Sequence, residues 1–310
     1  MARVDEARTR AWPQTRRSRL FQMQGAGFLA PATIVVFLLS IFPFVLTVVL
    51  SISNVSLVGG LQVQVGTLDH WARLVGDGQF WQTLANTLIF VGCSVIVEYV
   101  IGFLLALLLN QRLPGSAVFR VIFLIPMMLA PVAIAFMWRM IYDPSYGPLD
   151  NAIHDWLGLG TVPWLYNSRL ALYSIIVVDI WEWTPFMLLL LLAGMQALPA
   201  EALEAARLDG AGFWQQVRYV ILPMLGPISV MAILLRMIEA FKVFGRILIL
   251  TGGGPGTSTE STTLYSYYTG LTQFDLGYGA TLAIALFIVV LVMAMILRAL
   301  ATPITKEAQA

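Results

Sequence analysis

The chain has 310 residues, 59% of them hydrophobic and 11% charged, with a formal net charge of +1. Soluble domains carry roughly 25% charged residues. That deficit, with a mean hydropathy of +0.81, excludes an ordinary soluble domain and places the chain in lipid. The near-zero net charge leaves no basic surface for nucleic acid and no acidic tail.

In chain order, Arg3, Arg8, Arg10, Arg16, Arg17 and Arg19 precede the first apolar run. Thr15 to Phe21 superficially resembles a twin-arginine export signal. Signal peptides, however, have an apolar core of roughly 7–15 residues followed by a small-residue cleavage site. The run Phe28–Ile52 is far longer, so residues 1–27 read as a retained cytoplasmic anchor. About 20 apolar residues span a bilayer as a helix. Six segments qualify: Phe28–Ile52, Thr83–Leu109, Val121–Tyr142, Leu170–Met195, Gly226–Leu250 and Leu276–Leu300. The fold class is therefore all-α, a six-span domain over 28–300 with a tail at 301–310. Pro31, Pro43, Pro126, Pro131 and Pro185 lie inside these spans and read as tolerated kinks. Leu68–Trp81 reads as a short amphipathic helix on the outer surface.

Orientation follows from the basic residues. The N-terminal segment, Arg112 and Arg120, Arg207 and Arg218, and Arg298 with Lys306 fall on one side. The opposite loops carry only Arg73 and Arg169, with no base between Ile247 and Asp275. Both termini are thus expected in the cytoplasm. Trp71, Trp81, Trp138, Trp156 and Trp164 fall where an outer aromatic belt belongs.

The inner loop 198–223 has structure of its own. Pro199 suits the first turn of a helix, and Glu201 and Glu204 suit the N-terminal end of its dipole. Ala200, Ala202, Ala205 and Ala206 are strong helix formers. Gly210 supplies a left-handed stop. A second short helix, Phe213–Ile221, is expected to end before Pro223. Such a small-surfaced helix suits a groove on a partner protein.

Glu204-Ala205-Ala206, then Gly210, then Val220, Leu222 and Pro223 resemble the EAA signature of ABC importer permeases, with Val220 in place of the usual isoleucine. A lone Glu-Ala-Ala means little; the full spacing on a loop between spans four and five is specific. The bland alternative is an ordinary connector. Ile180-Trp181-Glu182-Trp183-Thr184-Pro185-Phe186, Tyr142-Asp143-Pro144-Ser145-Tyr146-Gly147 and Leu250-Thr251-Gly252-Gly253-Gly254-Pro255 are similar to the maltose-transporter type of permease, as is Gly66–Thr87. Gly245 departs from that pattern, where relatives often carry aspartate. The resemblance implies a type I importer fold and a heteromeric machine. Its partners would be a second permease, an ATPase dimer and an extracytoplasmic solute-binding protein in a bacterial inner membrane. The cargo would be a sugar or polyol. ATP and Mg would belong to the ATPase, leaving no cofactor in this chain. Glu204, Ala205, Ala206, Arg207, Asp209, Gly210, Leu222 and Pro223 would couple this chain to that ATPase.

Other chemistry finds little support. Gly252 to Thr259 lacks the Gly-Lys-Ser/Thr ending of a phosphate loop; its glycines read as a tight loop near the docked binding protein. Asp143, Asp150 and Asp155 do not follow calcium-loop spacing. His70 and His154 make no metal pattern, no nucleophile–histidine arrangement is apparent, and the one cysteine, Cys93, reads as a buried thiol.

The charges counted inside spans are Glu98, Asp179, Glu182, Arg236, Glu239 and Lys242. Each costs roughly 2.5–3.5 kcal/mol at the bilayer centre, so they are expected to face one another or a cavity. Arg236, Glu239 and Lys242 are spaced to pair along one helix face. Trp181, Glu182 and Trp183 supply the aromatic faces and carboxylate that bind sugars. With Glu239 and Lys242 they are the candidate substrate-path residues, although a structural role is open for all five. Two other readings are a stand-alone secondary transporter, which wants broken helices and paired repeats, and a membrane-embedded sugar-transfer enzyme.

Overall fold

The computed structural model describes residues 17–56, 62–111, 114–158 and 160–307. Arg3, Arg8, Arg10, Arg16 and Arg112, with the side chains of Arg17, Arg19, His154, Asp155 and Lys306, lie outside the described residues. The chain divides into two units, Met1–Val49 and Leu50–Ala310. The first is, over its described part, most of helix α1 (Arg17–Ser51). It carries Pro31 and Pro43 without interruption, and its apolar side chains from Ile34 to Leu46 are exposed. That is the surface of a lipid-facing span.

The second unit opens with an antiparallel hairpin, β1 (Ser53–Ser56) and β2 (Gln62–Val65), in which Ser53 faces Val65 and Ser56 faces Gln62. The sequence reading did not include it. The Gln62-Val63-Gln64-Val65 alternation after Gly59-Gly60 was its signal. Helices α2 (Asp69–Gly76) and α3 (Gly78–Leu109) follow. Between them the Asp77 carboxylate accepts from the N–H groups of Gln79 at 2.9 Å and Phe80 at 3.3 Å. This N-cap ends one helix and starts the next. The expected single helix Leu68–Trp81 is therefore two, and the second span begins at Gly78.

The expected third span is broken. α4 (Ser116–Met128) and α5 (Pro131–Ile141) meet at an angle of 94°. Ala130, held extended ahead of Pro131, cannot continue a helix, and Pro131 begins a new one. After α6 (Pro148–Leu157), α7 (Ala171–Gln196) carries Pro185 within one unbroken helix, tolerated as expected. It packs along α3 so closely that a Cβ on Gly102 would lie 2.6 Å from Met187 Cβ. Small residues allow such approach between spans.

Beyond α8 (Ala200–Leu208) come α9 (Phe213–Gln216), a π turn over Val217–Ile221, and α10 (Leu222–Met224). The Phe213–Met224 stretch meets α11 (Gly226–Phe241) at 67°. The fifth span was expected to continue to Leu250. Instead α11 ends at Phe241, Lys242 caps it, and α12 (Gly245–Leu250) sets off anew. Ser261 Oγ and Thr263 Oγ1 bond to the carbonyls of Val243 (2.9 Å) and Phe241 (3.2 Å) beside this break. They satisfy groups that a continuing helix would have used. A loop, α13 (Thr262–Tyr267), a π turn over Tyr268–Thr272 and α14 (Leu276–Glu307) complete the chain.

Among the described residues, stretches of α1, α3, α7 and α14 are long and apolar enough to cross a membrane; counting each bent pair as one span gives six. The core runs through Phe90, Ile134, Ile175, Met187, Leu191 and Ile247.

Candidate functional site

Two places in the second unit gather the residues singled out from sequence. The first is the segment 198–223. Pro199 is extended and caps α8. At the other end Gly210 takes φ +80°. Its N–H reaches Arg207 O at 3.1 Å, and Ala211 N–H reaches Ala206 O at 2.9 Å. This is the paired closure that a left-handed glycine allows. No residue of α8 is buried. Glu204, Ala205, Arg207 and Asp209 are exposed, Ala206 is half-buried, and Leu208 is 89% exposed.

Beside α8 lies a cleft of about 310 Å³ lined by Ala206, Asp209, Gly210, Ala211, Gln215, Tyr219 and Val220. Gln215 Oε1 accepts from Gly212 N–H at 2.7 Å, and Gln216 Nε2 donates to Ala211 O at 2.8 Å, fixing the turn into α9. The second helix does not end before Pro223, as expected from sequence. Leu222 N–H reaches back five residues to Val217 O. This wider turn lets the chain carry Pro223, which has no N–H to give, on to Met224. Leu222 and Pro223 are exposed on the outside of that turn.

The second place is inside the bundle. Arg236 of α11 donates to Glu98 of α3 through Nε at 2.7 Å and Nη2 at 2.9 Å, and through Nη2 to Asp179 of α7. Arg246 of α12 donates through Nη1 to Asp179 and through Nε to Glu182 at 2.7 Å. Glu98 and Asp179 are fully buried, and Arg236 is 1% exposed. The chain Glu98–Arg236–Asp179–Arg246–Glu182 thus ties four helices together. It explains how carboxylates and guanidiniums survive among apolar side chains: each has partners within hydrogen-bond reach. Arg246 was not in the sequence-based count. Its position two residues past Phe244, in a run otherwise apolar, was the available signal.

The expected pairing along one face of α11 holds only in part. Lys242 Nζ meets Glu239 Oε1 at 2.6 Å, with both side chains well exposed, while Arg236 turns inward to α3 and α7. The Trp181-Glu182-Trp183 triplet diverges. Trp181 packs edge-on to Trp138, 5.7 Å between centroids. It walls a greasy cavity of about 490 Å³ with Phe123, Pro126 and Leu188. Trp183 lies under the Arg236 guanidinium, 4.8 Å from ring centre, and its buried Nε1 has no hydrogen-bond partner. Only Glu182 joins the network. Trp138, expected in an outer aromatic belt, packs between Trp181 and Tyr142. Cys93, expected as a buried thiol, is half-buried. His70 lies beside Tyr278, 6.2 Å between ring centres.

The family described as binding-protein-dependent transport system inner membrane component matches residues 98–306. The chain is 40% identical over 226 residues to a trehalose/maltose transport system permease protein of Thermococcus litoralis, covering 72% of this chain and 75% of that one. It is 33% identical over 291 residues to a sulfoquinovosyl glycerol transport system permease protein of Agrobacterium fabrum, covering 93% and 92%. It also superposes on a chain of a crystal structure of a bacterial alginate ABC transporter bound to its periplasmic protein. The TM-score is 0.79 at 24% identity, over 96% of this chain and 99% of the other.

Proposed function

The chain belongs to the binding-protein-dependent transport system inner membrane component family, and from that premise we propose that it forms half of an ATP-driven import pathway for a sugar or polyol. It is a membrane permease, not an enzyme. The observation that carries the coupling half of this reading is α8, a rigidly closed helix with no buried residue between two spans. It is the surface offered to an ATPase subunit, with Glu204, Ala205, Ala206, Arg207, Asp209 and Gly210 at the contact and Leu222 and Pro223 supporting it. ATP and Mg act on that partner. Closure of the ATPase dimer pushes α8, and the bundle alternates between inward- and outward-facing states as a lever-driven rigid body. A second permease completes the pathway, and a solute-binding protein delivers cargo at the opposite end. The distribution of Arg207, Arg218 and Arg298 supports the reading that α8 and both termini face the cytoplasm of a bacterial inner membrane. The sugar reading is supported by relatives whose names specify trehalose, maltose and a sulfoquinovosyl glycerol. Glu182 and the flanking Trp181 and Trp183, with Glu239 and Lys242, remain the proposed path residues. The two bent helix pairs are of the kind expected of a stand-alone secondary transporter, yet they occur here in a chain of the permease family.

The test uses Glu204→Lys and Gly210→Asp in the assembled transporter. Uptake into cells falls to background while the chain stays in the membrane, and the ATPase no longer co-purifies in stoichiometric amount. Gly210→Asn, which tolerates a left-handed backbone better, retains more uptake than Gly210→Asp. Normal transport by both Glu204→Lys and Gly210→Asp refutes the coupling role.

A further inference from the structure

Two motifs quoted above lie more than a hundred residues apart in sequence, Tyr142–Gly147 and Leu250–Pro255. The fold brings their surroundings together. A cavity of about 470 Å³ is lined by Arg139, Leu165, Tyr166, Leu248, Ile249 and Thr251, with the backbone of Gly252 and Gly254. That volume lies in the range of small-molecule sites, roughly 300–1,000 Å³. The cavity sits beside the N-terminal end of α7, whereas α8 follows its C-terminal end. Twenty-six helical residues separate the two, about 39 Å at 1.5 Å per residue. The cavity therefore occupies the end of the bundle away from the lever.

Its chemistry differs from the greasy cavity beside Trp181. Arg139 is exposed and, among the described residues, donates a single hydrogen bond, from Nη1 to Ile249 O at 3.1 Å. It makes no ion pair among the described residues. A guanidinium has five N–H donors in a planar fork, so this one is anchored by one donor and keeps the others for a ligand. Tyr166 is 63% exposed and offers an aromatic ring at the wall. The loop that closes the cavity keeps its backbone bare. Gly252 and Gly253 hold φ of +63° and +95°, where a side chain is strained. Thr251 and Thr259 lock that loop, their hydroxyls 2.7 Å apart and Thr259 Oγ1 donating to Gly254 O at 2.8 Å. An exposed aromatic face, a guanidinium with donors to spare and backbone carbonyls of Gly252 and Gly254 that, among the described residues, each hold one partner and keep a second lone pair are a set that suits a sugar ring: the tyrosine packs against its C–H face and the polar groups take its hydroxyl or acid oxygens.

We propose that this cavity is a carbohydrate-binding entry site, taking one sugar unit of the cargo before it reaches the interior, with Arg139 and Tyr166 as the contacting side chains. This rests on the import reading above. The test is saturation-transfer NMR on the transporter purified with its ATPase and second permease in nanodiscs, without a binding protein. The probes are trehalose, maltose and glucuronate, added separately. At least one of the three binds, and Arg139→Gln weakens it by about tenfold or more, as expected for losing a hydrogen bond from a charged group. Tyr166→Ala lowers binding comparably, while Tyr166→Phe, which keeps the ring, does not. Both side chains are exposed, so these changes spare the fold. Absence of binding by all three probes, or unchanged binding in both Arg139→Gln and Tyr166→Ala, overturns the entry site. Those outcomes leave the import reading intact so long as the ATPase co-purifies; loss of that complex from the unaltered chain overturns the import reading instead.

Discussion

Replacing Arg236 with methionine tests the buried network, because it removes the charge while keeping most of the volume. The guanidinium holds Glu98 through two hydrogen bonds of 2.7 and 2.9 Å and Asp179 through a third, and it covers the face of Trp183. After the change Asp179 still has Arg246, but Glu98, fully buried, has no cation left. Removing one partner of a buried pair costs about 3–5 kcal/mol because the other charge is stranded. With one of two carboxylates still served, the expected loss is at the lower end, about 3 kcal/mol. Adding Glu98→Gln removes the stranded charge and recovers a substantial part of it, roughly 1.5 kcal/mol, within the range of couplings between contacting residues. The assay is equilibrium unfolding of the purified chain in mixed micelles, comparing the two single variants, the double variant and the unaltered chain. Strict additivity of the two changes, or a cost for Arg236→Met below about 1 kcal/mol, refutes the view that Glu98 depends on Arg236.

A Gly102→Leu change forces side-chain atoms into the space where even a Cβ would lie 2.6 Å from Met187 Cβ and 3.0 Å from Leu188 N; it lowers stability in the same assay by about 1–3 kcal/mol, the usual cost of overpacking. Asp77 titrates at the α2–α3 junction. Burial pushes its carboxyl up, but hydrogen bonds from Tyr278, Tyr265 and the N–H groups of Phe80 and Gln79 outweigh this and hold it below the ordinary value. A depressed native value stabilises the fold above the unfolded aspartate value of about 3.9, and that contribution disappears as pH falls through the native value. Hydrogen exchange at Gln79 and Phe80 therefore speeds up, beyond the intrinsic rate, as pH drops below about 4; Asp77→Asn removes this acid-side change, and an identical profile in both proteins refutes it.

The lever was legible because its signals are local. Pro199, the alanine run and Gly210 each act on their own backbone within one or two turns, so spacing alone places the helix and its stop. The broken spans were not, because Pro131 and Pro185 look alike in a hydropathy profile. Pro185 sits in a helix that stays unbroken and packs along α3, whereas Pro131 follows the extended Ala130 at a point where α5 turns to meet α12. Tertiary contact decides between kink and break, and one sequence does not show it. Two arginines did mark the breaks, however. Arg139 stands alone in an otherwise apolar run and Arg246 lies four residues past Lys242; a charge at the bilayer centre costs roughly 2.5–3.5 kcal/mol on insertion scales. Neither belongs to a continuous span. Arg139 is on α5 and reaches the Ile249 carbonyl of α12; Arg246 is on α12 and reaches Asp179 and Glu182 of α7. A short helix can turn such a residue toward a partner or a cavity, which a straight span facing lipid cannot. An arginine in a hydrophobic run is thus evidence that the run bends: here one lies on the wall of the proposed entry cavity, Arg139, and the other, Arg246, in the buried network beside Glu182.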